Sequence, residues 1–120
     1  MHKKTLVLGA SPNPDRYSYL AVERLSLKNH PIIAVGHKPG KIGAIAIEKN
    51  IAVVKDIHTI TLYLNSKNQE AYYDEIIALQ PKRIIFNPGA ENEALKKIAE
   101  ENGIETIEAC TLVMLSTGQY

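Results

Sequence analysis

Residues 9 to 18, Gly-Ala-Ser-Pro-Asn-Pro-Asp-Arg-Tyr-Ser, gather small side chains, hydroxyls, an amide and a guanidinium in one short stretch. The chemistry such residues do together is anion recognition. Gly9 permits a tight turn, while small Ala10 and Ser11 let a ligand approach the backbone closely. Ser11, Asn13 and Ser18 offer neutral donors, and Arg16 offers a forked contact to phosphate. A helix starting behind the loop adds free N–H groups and the positive end of its dipole. The same residue types also build ordinary turns and helix caps, so this loop by itself leaves both roles open.

A second stretch, Gly36-His37-Lys38-Pro39-Gly40-Lys41, bears on which anion is held. In a dinucleotide-binding domain, an acidic residue near the end of the second strand holds the ribose diol. That place here carries His37, Lys38 and Lys41, which suit a phosphate on the ribose. Two ligands fit on that ground: NADP, with its 2′-phosphate, and coenzyme A, with its 3′-phosphate. Two more polar loops, Asn65-Ser66-Lys67-Asn68 and Asn87-Pro88-Gly89-Ala90, each follow an apolar run.

Catalytic machinery is thin. Catalysis needs a nucleophile or an acid–base pair with an orienting partner. Cys110 reads as a buried small hydrophobe, and it becomes a nucleophile only if exposed and lowered in pKa. His37 either bonds phosphate or is a plain loop residue, while His30 and His58 read as structural. The tyrosines read as packing, with Tyr17 or Tyr19 able to flank a ligand. No catalytic residue and no metal ligand is assigned.

Positioning these loops requires strands and helices in alternation. Thr5–Leu8 (TLVL), Pro31–Gly36 (PIIAVG), Ile51–Val54 (IAVV), His58–Leu64 (HTITLYL) and Arg83–Phe86 (RIIF) are apolar or β-branched runs that predict strands. Thr106–Ala109 is a short edge candidate, because it is flanked and interrupted by glutamate. Tyr17–Lys28 predicts a helix with Leu20, Ala21 and Leu25 on one side. Ser66-Lys67-Asn68-Gln69 has capping-box form, with Tyr72, Ile76 and Leu79 following at helical spacing until Pro81. Glu91–Asn102 predicts a helix with Leu95, Ile98 and Ala99 on its buried stripe, and Gly103 stands where a left-handed cap belongs. Apolar strands separated by helices predict an α/β fold: a Rossmann-like, doubly wound, mainly parallel sheet with helices on both faces. Ligands in such sheets bind beyond the carboxyl ends of the strands, where all four polar loops fall.

The 120 residues are a usual length for one domain, so residues 1–120 are read as a single domain. A net charge of +1 argues against a general nucleic-acid binder and leaves anion recognition to local cations. One cysteine forms no internal disulfide and disfavours a structural zinc site. The opening MHKKTLVLGA reads as a strand and not a signal peptide, and no run approaches the roughly 20 apolar residues of a membrane span. A cytoplasmic protein is expected, with a homo-oligomer or a protein partner left open.

The segments GASPNPDRYSY, VGHKPGKIG, LYLNSKN and FNPGAENE, with the late Cys110, resemble the small CoA-binding domain family. That family is related to the amino-terminal CoA-binding domain of the succinyl-CoA synthetase α subunit. The resemblance runs from residue 3 to about residue 115. It implies a Rossmann-type sheet with coenzyme A or an acyl-CoA across its carboxyl edge. Gly9, Ala10, Ser11, Asn13, Arg16 and Ser18 would approach the pyrophosphate, and Lys38 or Lys41, beside Gly36 and His37, the 3′-phosphate. Asn65, Ser66 and Lys67 correspond to the loop beside the adenosine, and Pro88 and Gly89 border the pantetheine path. The synthetase has a proline-rich loop where this sequence has Leu64-Asn65-Ser66. None of His2, His30, His37 or His58 matches its phosphohistidine, so the ligase reaction is not implied. The reading that follows is a stand-alone, non-catalytic CoA-binding carrier, sensor or regulatory module. The alternatives are an NADP-binding reductase subunit or fragment completed by a partner chain, and an acyl-CoA enzyme using Cys110.

Overall fold

The computed structural model describes residues 2–51 and 55–120. Seven strands form one sheet: β1 (Thr5–Leu8), β2 (Ile32–Val35), β3 (Lys41–Ile42), β4 (Ile45–Glu48), β5 (Thr59–Leu62), β6 (Arg83–Phe86) and β7 (Glu105–Glu108). Their order is β3-β4-β2-β1-β5-β6-β7, and every neighbouring pair is parallel except β3 with β4. The helices are α1 (Tyr17–Leu27), α2 (Ser66–Gln69), α3 (Tyr73–Leu79), α4 (Glu93–Glu101) and α5 (Thr111–Ser116), with a 3-10 turn at Glu70–Tyr72.

Strand alternation divides the core in two. Leu6 and Leu8 of β1 point to one face with Ile60, Leu62, Ile84 and Phe86, against Ile76 of α3 and Leu95 and Ala99 of α4. Val7 points to the other face with Ala34 and Ile85, against Val22 and Leu25 of α1 and Met114 and Leu115 of α5. Each large side chain buried in this way contributes about 1.5–3 kcal/mol. The sheet is therefore covered on both sides, as its apolar strands require. This is the α/β Rossmann-like architecture.

Several elements differ from the expectation. The expected strand Ile51–Val54 lies outside the described residues beyond Ile51, which belongs to no strand. The place beside β2 is filled by β4, and the glycine- and lysine-rich segment read as a loop forms the β3–β4 hairpin. Lys41 pairs with Ala46 and Ile42 with Ile45 across a Gly43-Ala44 turn. Two-residue strands carry too little alternation to be read. The last strand begins one residue early, at Glu105, and occupies the sheet edge. α5 was not expected at all.

Asn65, not Ser66, caps α2: its Oδ1 accepts the Asn68 N–H at 2.9 Å. Helix α4 likewise starts later than Glu91, because Asn92 caps it by accepting the Leu95 N–H at 3.0 Å. Among the described residues no helix is long and apolar enough to cross a membrane.

Candidate functional site

The strand order reverses at β1. The chain leaves β1 for β2 on one side and returns to β5 on the other, so the loops after β1 and β5 flank a crevice. Register levels their starting points: Leu8 stands beside Val35 on one side and Leu62 on the other, and Leu62 beside Phe86. At this rim lies a cleft of about 470 Å³.

Backbone contacts seam its loops together. The Val35 carbonyl accepts from both the Gly9 and the Ala10 N–H, each at 2.9 Å. A Cβ on Gly36 would come within 2.0 Å of the Ala10 carbonyl oxygen, so only glycine lets the β2 loop pass there. Gly9 has φ +100°, and a Cβ on it would lie 3.0 Å from the Tyr63 carbonyl carbon and 3.1 Å from the Leu64 nitrogen. The loops after β1, β2 and β5 are in direct backbone contact.

Because Val35 takes the Gly9 and Ala10 amides, free donors come from elsewhere. Arg16 is the N-cap of α1 yet makes no side-chain cap hydrogen bond, and the first turn holds no acidic residue. Among the described residues the Tyr17 and Ser18 N–H groups have no protein partner. An uncapped helix start of this kind carries partial positive charge and unpaired donors. Ser18 is only 4% exposed, and what it exposes lines the cleft. Ser11 and Asn13 spend their oxygens on the turn: Ser11 Oγ accepts the Asn13 N–H at 3.1 Å, and Asn13 Oδ1 accepts the Asp15 N–H at 2.9 Å. Their hydroxyl and amide hydrogens remain to donate. Arg16, His37 and Lys38 add basic side chains, and no carboxylate side chain belongs to the lining.

Of the residues singled out in the sequence, Gly9, Ala10, Ser11, Asn13, Arg16, Ser18, His37, Lys38 and Pro88 line this cleft. Gly36 stands behind Ala10, and exposed Lys41 belongs to β3 in the edge hairpin. Asn65, Ser66, Lys67 and Gly89 are not in the lining. Asn65 is engaged with α2, and the Gly89 N–H donates to Glu91 Oε1 at 2.9 Å. Tyr17, Tyr63, Leu64 and Asn68 complete the wall. Tyr17, which the sequence offered with Tyr19 as a flank for a ligand, is 72% exposed, whereas Tyr19 is not in the lining.

Tyr63 has an unusual environment. Its hydroxyl oxygen is buried without a hydrogen-bond partner among the described residues. Burial, and then the nearby Cys110 thiol, pushes the phenol above the usual tyrosine range, and the neighbouring Thr111 and Thr61 hydroxyls offset only part of this, so it stays protonated. Cys110 is itself half-buried. Asn87 occupies the end of β6, donating to Thr61 Oγ1 at 2.7 Å and to the Leu62 carbonyl at 2.9 Å while accepting the Thr111 N–H at 2.8 Å. That amide anchors α5 to the sheet.

The family described as "CoA binding domain" matches residues 3–116, nearly the whole chain. The chain belongs to the CoA-binding domain family. No curated protein matches it. Among solved structures, this CoA-binding domain is 50% identical to an uncharacterized protein, with TM-score 0.97, covering 100% of this chain and 99% of that one. A hypothetical protein from Pyrococcus horikoshii OT3 has 21% identity and TM-score 0.87 over 97% and 83% of the two chains. A conserved hypothetical protein from Pyrococcus furiosus has 24% identity and TM-score 0.80 over 92% and 97%. At those last two identities the likeness is one of fold. The cleft's chemistry suits the family's ligand: unpaired helix amides, the buried Ser18 in the lining and the basic side chains of Arg16, His37 and Lys38 all favour phosphate.

Proposed function

We propose that the chain is a stand-alone coenzyme A or acyl-CoA binding module, acting as a carrier, sensor or regulatory unit and not as a catalyst. The observation that carries the reading is the uncapped start of α1 with Ser18 buried beside it, opposite His37 and Lys38. The α1 amides and the Ser18 hydroxyl take the pyrophosphate, joined by donors from Ser11, Asn13 and Arg16. Lys38 takes the 3′-phosphate, at the place where an NAD-binding sheet would carry an acid. Gly9 and Gly36 keep the backbone low enough for the diphosphate to lie close. Tyr63, Leu64 and Pro88 offer the less polar wall for the uncharged remainder of the ligand.

Calorimetry with coenzyme A, dephospho-CoA and NADP tests this. Coenzyme A binds most tightly. Lys38→Ala weakens it by about 1.5–3 kcal/mol, the worth of a hydrogen bond to a charged group. Dephospho-CoA loses a similar amount on the wild-type chain, and the two losses do not add. Equal affinity for coenzyme A and dephospho-CoA removes Lys38 from the 3′-phosphate. Preference for NADP replaces the reading by that of a reductase subunit.

A further inference from the structure

We propose that Gln69 is the positioning residue of the cleft, its side-chain amide clamping the segments after β5 and β6 into one wall. The sequence marks Gln69 as the far end of a capping box, but the structure uses it otherwise. It is fully buried. Its Nε2 donates to the Leu64 carbonyl at 2.8 Å and to the Ala90 carbonyl at 2.7 Å, one hydrogen to each segment. Its Oε1 accepts from Asn92 Nδ2 at 3.0 Å. Asn92 in turn donates to the Tyr73 hydroxyl at 2.8 Å and caps α4.

Burying a primary amide is costly unless its polar atoms are satisfied, and here they are satisfied by two segments distant in sequence. Both segments contribute to the cleft, through Leu64 and Pro88. Leu64 also abuts Gly9, where a Cβ would lie 3.2 Å from the Leu64 Cγ, so the clamp carries through to the first loop. Removing the amide leaves the buried Ala90 carbonyl, the half-buried Leu64 carbonyl and the Asn92 amide without that partner. The wall then loses its fixed geometry while the strands beneath keep theirs. Only the ligand arm of the test rests on reading the cleft as a coenzyme A site.

The experiment compares the full chain with Gln69→Met, which keeps side-chain length and volume and removes all three hydrogen bonds. Amide hydrogen exchange should quicken about tenfold in both residues 64–69 and 88–92, with β1 and β2 unchanged. Quickening in one segment only, in neither, or evenly across the sheet overturns the proposal. Asn92→Ser provides a milder variant, keeping a capping oxygen for α4 while losing the donor to Gln69. It should loosen the same two segments to a smaller degree, and loosening confined to α4 counts against the clamp. In the ligand arm, Gln69→Met should bind coenzyme A about tenfold more weakly. Unchanged affinity, with the wild type binding normally, overturns the positioning role. A wild type that fails to bind coenzyme A overturns the coenzyme reading instead, and the exchange measurement still decides the clamp.

Discussion

The Tyr63 hydroxyl is buried and makes no hydrogen bond of good geometry among the described residues, although the Thr61 and Thr111 hydroxyls lie close to it. A buried donor left unpaired costs about 1–3 kcal/mol, and these neighbours recover only part of that. Tyr63→Phe removes the oxygen and keeps the ring that faces the cleft. The expected outcome is an unfolding midpoint in urea equal to or above that of the wild type, with a gain of up to about 1 kcal/mol. A loss of stability would show that the hydroxyl has a partner. At this scale the sequence was informative through the convergence of loops and not through any one residue. Ser18, Arg16, His37 and Lys38 each have an ordinary turn or surface use, but they follow strands that end at one rim, and all four line the cleft. Tyr63 and Leu64 were not legible, since aromatic and aliphatic residues at a strand end look the same whether they face core or ligand. Asn65 lies outside the cleft lining: a polar residue after a strand can serve a ligand or cap a helix, and here its Oδ1 caps α2.

Helix α1 starts without a cap and without an acidic residue in its first turn, although either would stabilise it. A helix kept in this state has its positive end available for an anion. Tyr17 sits in that first turn, exposed and lining the cleft. Tyr17→Glu should stabilise the fold by about 0.3–1 kcal/mol through the helix dipole relative to the neutral Tyr17→Gln. The same change should weaken coenzyme A binding relative to that control, because the carboxylate competes for the site and repels phosphate. Thermal melts and calorimetry on the two variants check the opposite signs. Strands β1, β2, β5 and β6 were readable as continuous apolar or β-branched runs, which parallel, doubly covered strands produce. The β3–β4 hairpin was not: Ile42 stands alone between Lys41 and Gly43, and the short run Ala44–Ile47 is half alanine, a weak strand former. Helix α5 escaped because six residues span under two turns, too few for a clear periodicity.

Across the whole molecule the two rims of the sheet carry different duties. The carboxyl rim holds the cleft, while the amino rim is tied together by polar contacts around Tyr120. Register aligns Thr5, Thr59 and Arg83 on β1, β5 and β6. Arg83 donates to Thr59 Oγ1 at 2.8 Å, and its guanidinium lies 4.5 Å from the centre of the Tyr120 ring. His30 and His58 stand at this rim. His30 Nδ1 accepts the Lys3 N–H at 2.9 Å, and His58 Nδ1 meets Thr59 Oγ1 at 2.7 Å.

Both imidazoles have pKa values below the usual 6.5. Burial is the main cause in each, followed by Lys3 for His30 and Arg83 for His58. Lowered folded-state values mean that the unfolded chain binds these protons first, so stability is full above about pH 6.5 and falls as the pH drops through the folded values. The thermal midpoint should therefore decline between pH 7.5 and pH 5. The double variant His30→Asn, His58→Asn keeps an acceptor at each Nδ1 position, and its midpoint should decline less. An equal decline in both proteins would place the acid sensitivity elsewhere.

The shared Val35 carbonyl has a consequence for anyone redesigning this protein. One oxygen holds the first loop to the second strand, and the missing side chain at position 36 leaves room for the contact. The two connections are thus a single inheritable cassette. A foreign phosphate loop grafted after β1 alone would arrive without its matching neighbour, whereas the exposed Asn68 on the opposite bank can be varied while the cassette stays intact.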